Sequence, residues 1–269
     1  MDLGIAGRVA IVSGGSRGIG YAAAEVLAEE GCHVAVCALD PGRLAAARSR
    51  LAARAAPGAG VHAGRCDLRD AAAIEGFVAE VVDRFGGVDI LVNNASPTDS
   101  PSMWGPVLDE VDDEEWLETW RAKFIGYVRF SRAVLPHMRR SGWGRIVHVS
   151  GMGGRGPNRR YLAGGPVHAA LLALAKGMAD EYGPDGVLVT ALSPGPIDTG
   201  HHGVILEAQA REAGISSSEA RDRFVAAVPL RRYGTPREAG EAIAYLCSER
   251  AGFVTGVELL VDGGRSRSF

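Results

Sequence analysis

The 269-residue chain is 46% hydrophobic and 23% charged, the balance of a folded globular protein and not of a disordered one. A formal net charge of −3 offers no basic footprint for nucleic acid, and no apolar run approaches the roughly 20 residues of a membrane span. No basic-then-apolar leader opens the sequence, so the expected location is cytoplasmic, and the length suits one sheet-centred domain over residues 1–269.

Short apolar runs alternate with helical stretches along the chain. Residues 9–13 read as a strand, 21–30 as a helix closed by Gly31, and 34–38 as a second strand. A helix follows over 43–55, a strand over 61–66, and a helix over 71–85 that stops at Gly86-Gly87. Residues 90–93 form a strand, and the next long helix lies within 114–138. After it come a strand over 146–150, a helix over 167–182, a strand over 187–191 and a last strand over 259–261. Strands separated by helices imply an α/β fold: a doubly wound parallel sheet with helices on both faces. The stretch 200–228 is polar and Ala-rich, a candidate substrate lid or equally a peripheral helix pair. Four scattered cysteines, Cys32, Cys37, Cys66 and Cys247, form no C-x-x-C pair, which fits buried reduced thiols and no metal site.

The segment Gly14-Gly15-Ser16-Arg17-Gly18-Ile19-Gly20 joins the first strand to the first helix. In that context glycines let the backbone turn tightly and approach phosphate, while free amides at the helix start favour its charge. Asp67-Leu68 follows the third strand, Asn93-Asn94-Ala95 the fourth, and Pro194-Gly195-Pro196-Ile197-Asp198-Thr199 the sixth. All sit at carboxyl strand ends, where open parallel sheets bind ligands.

Together these motifs resemble the short-chain dehydrogenase/reductase family over essentially the whole chain, including Thr255-Gly256 and Asp262-Gly263-Gly264 near its end. The resemblance implies a three-layer Rossmann fold holding NADP or NAD. The glycine loop would hold the pyrophosphate, Asp67 and Leu68 the adenine edge, and Asn93 and Ala95 the adenosine side. Pro194, Gly195, Ile197 and Thr199 would meet the nicotinamide. Ser96 stands where the family usually has glycine. Arg17 tilts the choice toward NADP, whereas Asp40, one place later than the usual ribose acceptor, keeps NAD open. Relatives of this kind act on small molecules and form homodimers or homotetramers, here with the apolar 253–255 and 259–261 segments.

The chemical residues depart from the family. Its usual Asn, Ser, Tyr and Lys fall at Lys123, Gly151, Gly164 and His168. Enoyl reductases of the same superfamily place a Tyr seven residues before the Lys, and Tyr161 stands seven before His168. The first of that branch's two active-site tyrosines falls at Gly151. Tyr161 could polarise a carbonyl or simply cap its loop, and His168 could titrate or bind a ribose. Lys123, one of two lysines, could bring a cation into the space vacated by the usual one. Ser150 ends the fifth strand one position early and is a candidate substrate contact. The expected activity is an NAD(P)H-dependent reduction of an enone or ketone with a non-standard proton relay. A non-redox dehydratase, isomerase or cyclase using His168 and Tyr161 is the alternative, and a catalytically silent subunit is the third reading.

Overall fold

A computed structural model describes residues 2–96, 108, 112–156, 162–200, 210–211 and 213–267. Seven strands form one sheet: β1 (Val9–Ser13), β2 (His33–Ala38), β3 (Val61–Arg65), β4 (Ile90–Asn93), β5 (Gly144–Val149), β6 (Val187–Pro194) and β7 (Glu258–Val261). Their order is β3-β2-β1-β4-β5-β6-β7 and every pairing is parallel. The order reverses between β1 and β4, so the carboxyl ends of these strands frame a crevice.

Central strands are mostly apolar because both of their faces are covered. β1 and β5 are buried along their full lengths. On one face α3 (Ala71–Phe85), α5 (Gly126–Ser141) and α6 (Gly164–Tyr182) contribute Phe77, Tyr127, Phe130, Met138 and Leu171 to a single core. On the other, α1 (Gly18–Glu29), α2 (Pro41–Arg54) and α8 (Pro236–Leu246) contribute Leu27, Leu44, Leu51 and Ile243. All four cysteines are buried and unpaired. Among the described residues no helix is long and apolar enough to cross a membrane.

Two helices begin three residues earlier than the sequence pattern suggests, α1 at Gly18 and α6 at Gly164. Both first turns are glycine-rich, so apolar periodicity reports only where the packed face begins. β6 likewise continues past residue 191 to Pro194, paired with Val261 of β7. The long middle helix proves to be three pieces: α4 (Asp113–Thr119), a π-helical turn over Trp120–Ile125, and α5. Such wide turns are rare and cluster at functional sites.

In the 200–228 segment, residues 201–209 and 212 lie outside the described residues. α7 (Ser217–Ala226) starts at Ser216, whose hydroxyl accepts the Glu219 amide at 3.1 Å. A small apolar cluster of Ala210, Ala220 and Tyr233 packs beneath it, apart from the main core.

Candidate active site

The cofactor half of the crevice is built around backbone. Gly14 has φ 67°, and a Cβ there would lie 2.8 Å from the Ala95 Cα, so only glycine fits. A Cβ on Gly18 would meet Thr199 at 3.4 Å, which brings the glycine loop and the loop after β6 together as two walls. Arg17 holds the cap position of α1 with extended backbone and makes no side-chain cap bond. The first-turn amides of Gly18, Ile19 and Gly20 therefore have no side-chain cap and are available to an anion such as a pyrophosphate. Ser16 lies buried in the same loop.

Asn94 secures this loop, a role that sequence reading did not assign. Its side-chain amide donates to the carbonyls of Ser13 at 3.1 Å and Gly14 at 3.3 Å. In return the Ser13 hydroxyl accepts the Asn94 and Ala95 amides at 3.0 and 3.2 Å. Asn93, expected on the adenosine side, does not turn its side chain toward the loop. Strand alternation turns its side chain into the core, where Nδ2 donates to the Tyr127 carbonyl, the Ser131 hydroxyl and His148 Nδ1 at 3.2–3.4 Å. The signal was in the sequence, since adjacent strand residues face opposite ways and only one asparagine can face the loop.

Asp67 is gripped by Arg69, which donates from its backbone at 3.0 Å and from Nε at 2.9 Å. This bonding holds the Asp67 carboxyl below its ordinary range. Arg69 also reaches Glu118 on α4 at 2.7 Å. Leu68 is buried, packed where a Cβ on Gly126 would meet it at 2.8 Å. Asp40 accepts the Arg43 amide at 2.8 Å and so caps α2. On the opposite wall Ile197 is buried and bridges to Gly234, leaving backbone to face the crevice, and Gly195 donates to the Val261 carbonyl at 2.9 Å.

The chemical half is different in kind. Lys123 lies in the π turn and is buried at 4% exposure. Its ammonium donates to His168 Nε2 at 3.1 Å and to the Ser150 carbonyl at 3.4 Å. The Tyr127 ring centre lies 6.0 Å away, and the Tyr127 hydroxyl donates to the Val149 carbonyl at 3.3 Å. Burial drives the Lys123 pKa from 10.5 down to about 7. Burial, then the nearby Lys123 charge, holds His168 well below 6.5. A neutral His168 with its proton on Nδ1, the ring nitrogen beside Gly151, presents Nε2 as an acceptor, the form Lys123 needs.

Gly151 explains how an imidazole fits. A Cβ on residue 151 would lie 2.1 Å from His168 Cε1 and 2.2 Å from Nδ1. The ring fills the volume that a side chain at 151 would need. The identities of residues 151 and 168 are thus coupled through one shared volume. Ser150, a candidate substrate contact, is committed elsewhere: its hydroxyl donates to the His168 carbonyl at 3.0 Å. The structure therefore joins Lys123, Ser150 and His168 in one cluster, with Ser150 as a support. Tyr161, the fourth expected residue, lies outside the described residues. His148 is buried behind Tyr127, and burial lowers its pKa to about 4.

A family model described as Enoyl-(Acyl carrier protein) reductase matches residues 14–266. A putative ketoacyl reductase of Streptomyces coelicolor is 36% identical over 268 residues, covering 95% of this chain and 96% of that one. The chain belongs to the short-chain dehydrogenase/reductase family. Among solved members, L-sorbose reductase from Gluconobacter frateurii, complexed with NADPH and L-sorbose, matches with a TM-score of 0.92 at 31% identity over 100% of both chains. An NADPH-bound short-chain oxidoreductase from Pseudomonas aeruginosa, described as containing an atypical catalytic center, matches with a TM-score of 0.86 at 35% identity, covering 97% and 98%.

Proposed function

We propose that this member of the family reduces the carbonyl of a small-molecule ketone with NADPH, and that Lys123 supplies the proton. The observation that carries this reading is the buried Lys123 ammonium held between His168 Nε2 and the Ser150 carbonyl. The uncapped first turn of α1 and the glycine cradle at Gly14 fit a dinucleotide pyrophosphate, with Thr199 and the 195–197 backbone near its nicotinamide end. Likeness to reductases solved with NADPH, and the capping duty of Asp40, both favour the phosphorylated cofactor. Bound NADPH supplies the hydride that reaches the carbonyl carbon.

Lys123 then handles the oxygen. Its ammonium has three N–H groups, of which two already have acceptors. The third stabilises the developing alkoxide and transfers to it, leaving a neutral amine whose two remaining hydrogens still serve Ser150 and His168. A pKa of about 7 makes the ammonium a competent acid near neutral pH, where an ordinary lysine would hold its proton. His168 positions the ammonium, and Ser150 ties β5 to α6 beneath it. α7, linked through Arg221 to Asp198 at 3.3 Å, forms a wall of the substrate cleft in this reading. The fully exposed Phe253 and the part-buried β7 edge suit a homodimer or homotetramer, which sedimentation of the intact protein checks.

The test is turnover of a ketone panel with 4-deuterated NADPH in the parent, Lys123→Met and Tyr161→Phe. Deuterium in the product establishes reduction. A loss of roughly 10²–10⁴-fold in kcat for Lys123→Met, with NADPH affinity retained, is expected. A comparable loss confined to Tyr161→Phe would transfer the proton step to Tyr161 and overturn the role of Lys123.

A further inference from the structure

Among the described residues nothing answers the charge of the Lys123 ammonium. Its two acceptors, His168 Nε2 and the Ser150 carbonyl, are both neutral. α6 presents His168, α5 presents the Tyr127 ring at 6.0 Å, and β5 presents the Ser150 carbonyl. His148 stacks behind Tyr127 at 5.8 Å and is neutral as well. No carboxylate among the described residues pairs with Lys123, although the side chain is almost completely buried. A buried cation without a counter-ion is costly, and family members with a neutral residue in this position face no such cost.

We propose that the Lys123 ammonium selects a substrate that brings the missing negative charge, namely a ketone with a carboxylate one or two carbons away, as in a 2- or 3-oxo acid. The inference rests on the reading that Lys123 faces the reacting carbonyl. In such an acid the carbonyl and carboxylate oxygens lie close enough for one ammonium to face both. The remaining N–H can point at the carbonyl while the charge acts on the carboxylate through a dry, low-dielectric pocket. An ester, thioester or amide in the same place supplies no charge and leaves the ammonium unpaired. The carboxylate also keeps Lys123 protonated until hydride arrives, so recognition and proton supply use the same group.

The experiment compares acetoacetate with its neutral counterpart acetoacetamide, and pyruvate with pyruvamide, as ligands of the NADP⁺ complex. The quantity read is the acid-to-amide ratio of affinities, from dissociation constants by calorimetry, against pH in the parent and in Lys123→Met. Binding to that complex involves no hydride or proton delivery, so failure of the relay, read by turnover with NADPH, and failure of charge selection are distinguishable. In at least one pair the acid is favoured about tenfold or more at pH values below the Lys123 pKa of about 7. The preference decays toward one above that value as the ammonium discharges, and Lys123→Met abolishes it. If Lys123→Met does not fold, the pH dependence of the ratio in the parent decides. A ratio near one at every pH, a preference that survives Lys123→Met, or no binding of any of the four compounds at millimolar concentration overturns the proposal.

Discussion

The two halves of the crevice obey different constraints. On the β1 and β4 side, backbone does the holding: Gly14 and Gly18 shape the loop, and Asn94 latches it to the next strand. On the β5 and α6 side, side chains do it, through Lys123, His168 and Ser150. A backbone cradle recognises any pyrophosphate and tolerates little change, because each glycine is required by conformation or close approach. A side-chain cluster can be exchanged as a set, provided volumes and hydrogen bonds still close. The comparison teaches that cofactor binding and proton transfer can diverge separately on one scaffold.

The largest effect should come from undoing the exchange halfway. Gly151→Ser forces the His168 ring out of the space it occupies, because the new Cβ falls about 2 Å from two ring atoms. Overpacking of this kind costs about 1–3 kcal/mol. Displacing the ring also removes the acceptor that holds Lys123, so kcat should fall by roughly 100-fold with NADPH affinity unchanged. Adding His168→Ala to Gly151→Ser should recover most of the lost melting temperature and none of the activity. A Gly151→Ser enzyme with parental kcat would show that the two halves are not separated in this way.

Much of the conventional half was legible in the sequence, because glycines, caps and strand alternation are local signals. The strand over 90–93 and the helix over 71–85 emerged with the bounds their patterns suggest, the latter closed by Gly86 in the left-handed conformation. Asn93 was singled out and Asn94 passed over, although alternation shows that only one of the two side chains can face the loop. The chemical half was legible as separate candidates, Lys123, His168 and Ser150, but not as an arrangement. That His168 occupies the volume above Gly151, and that Lys123 arrives on a π turn, are long-range facts with no period in the sequence. Apolar patterning also conceals the turn, since α4, the π segment and α5 together read as one amphipathic helix.

Lys123 gives the next effect, on stability. In the unfolded chain it holds its proton up to the ordinary 10.5, and in the folded one only up to about 7. Between those values the unfolded state binds more proton, so stability rises with pH across the window, and the burial penalty is fully present below it. Lys123→Met should therefore be more stable than the parent by a few kcal/mol at the acidic end of that window, and the advantage should shrink steadily toward its alkaline end. Denaturant titrations of both proteins at several pH values measure this difference. A constant difference would mean that Lys123 is not charged and buried in the way its neighbours suggest.

Asn94→Ala tests the other half. Removing the amide leaves the Ser13 and Gly14 carbonyls without that donor, at about 1–2 kcal/mol for the pair of bonds. NADPH affinity should drop by roughly tenfold while kcat at saturating cofactor stays near the parental value, the reverse of Gly151→Ser. If both kinetic parameters fell together, the glycine loop and the proton cluster would be coupled through β4 and β5.

Arg17→Ala is the smallest and the most selective perturbation. A nicotinamide site that prefers the unphosphorylated cofactor needs a carboxylate at the end of β2 to accept the ribose hydroxyls. Asp40 is the nearest acid, and it already caps α2 through the Arg43 amide and pairs with the Arg43 side chain at 3.5 Å. Releasing it would cost about 1 kcal/mol of helix stability, so accepting a ribose competes with folding. Arg17 sits at the cap of α1 and carries a charge suited to a 2′-phosphate. Its removal should weaken NADPH by roughly tenfold, about 1.4 kcal/mol, and leave NADH unchanged. Equal weakening of both would place Arg17 on the pyrophosphate, which the two cofactors share. Phosphate discrimination would then have to come from Arg43 in the first turn of α2 or Arg65 at the end of β3, and the conventional half would prove less conventional than its glycines suggest.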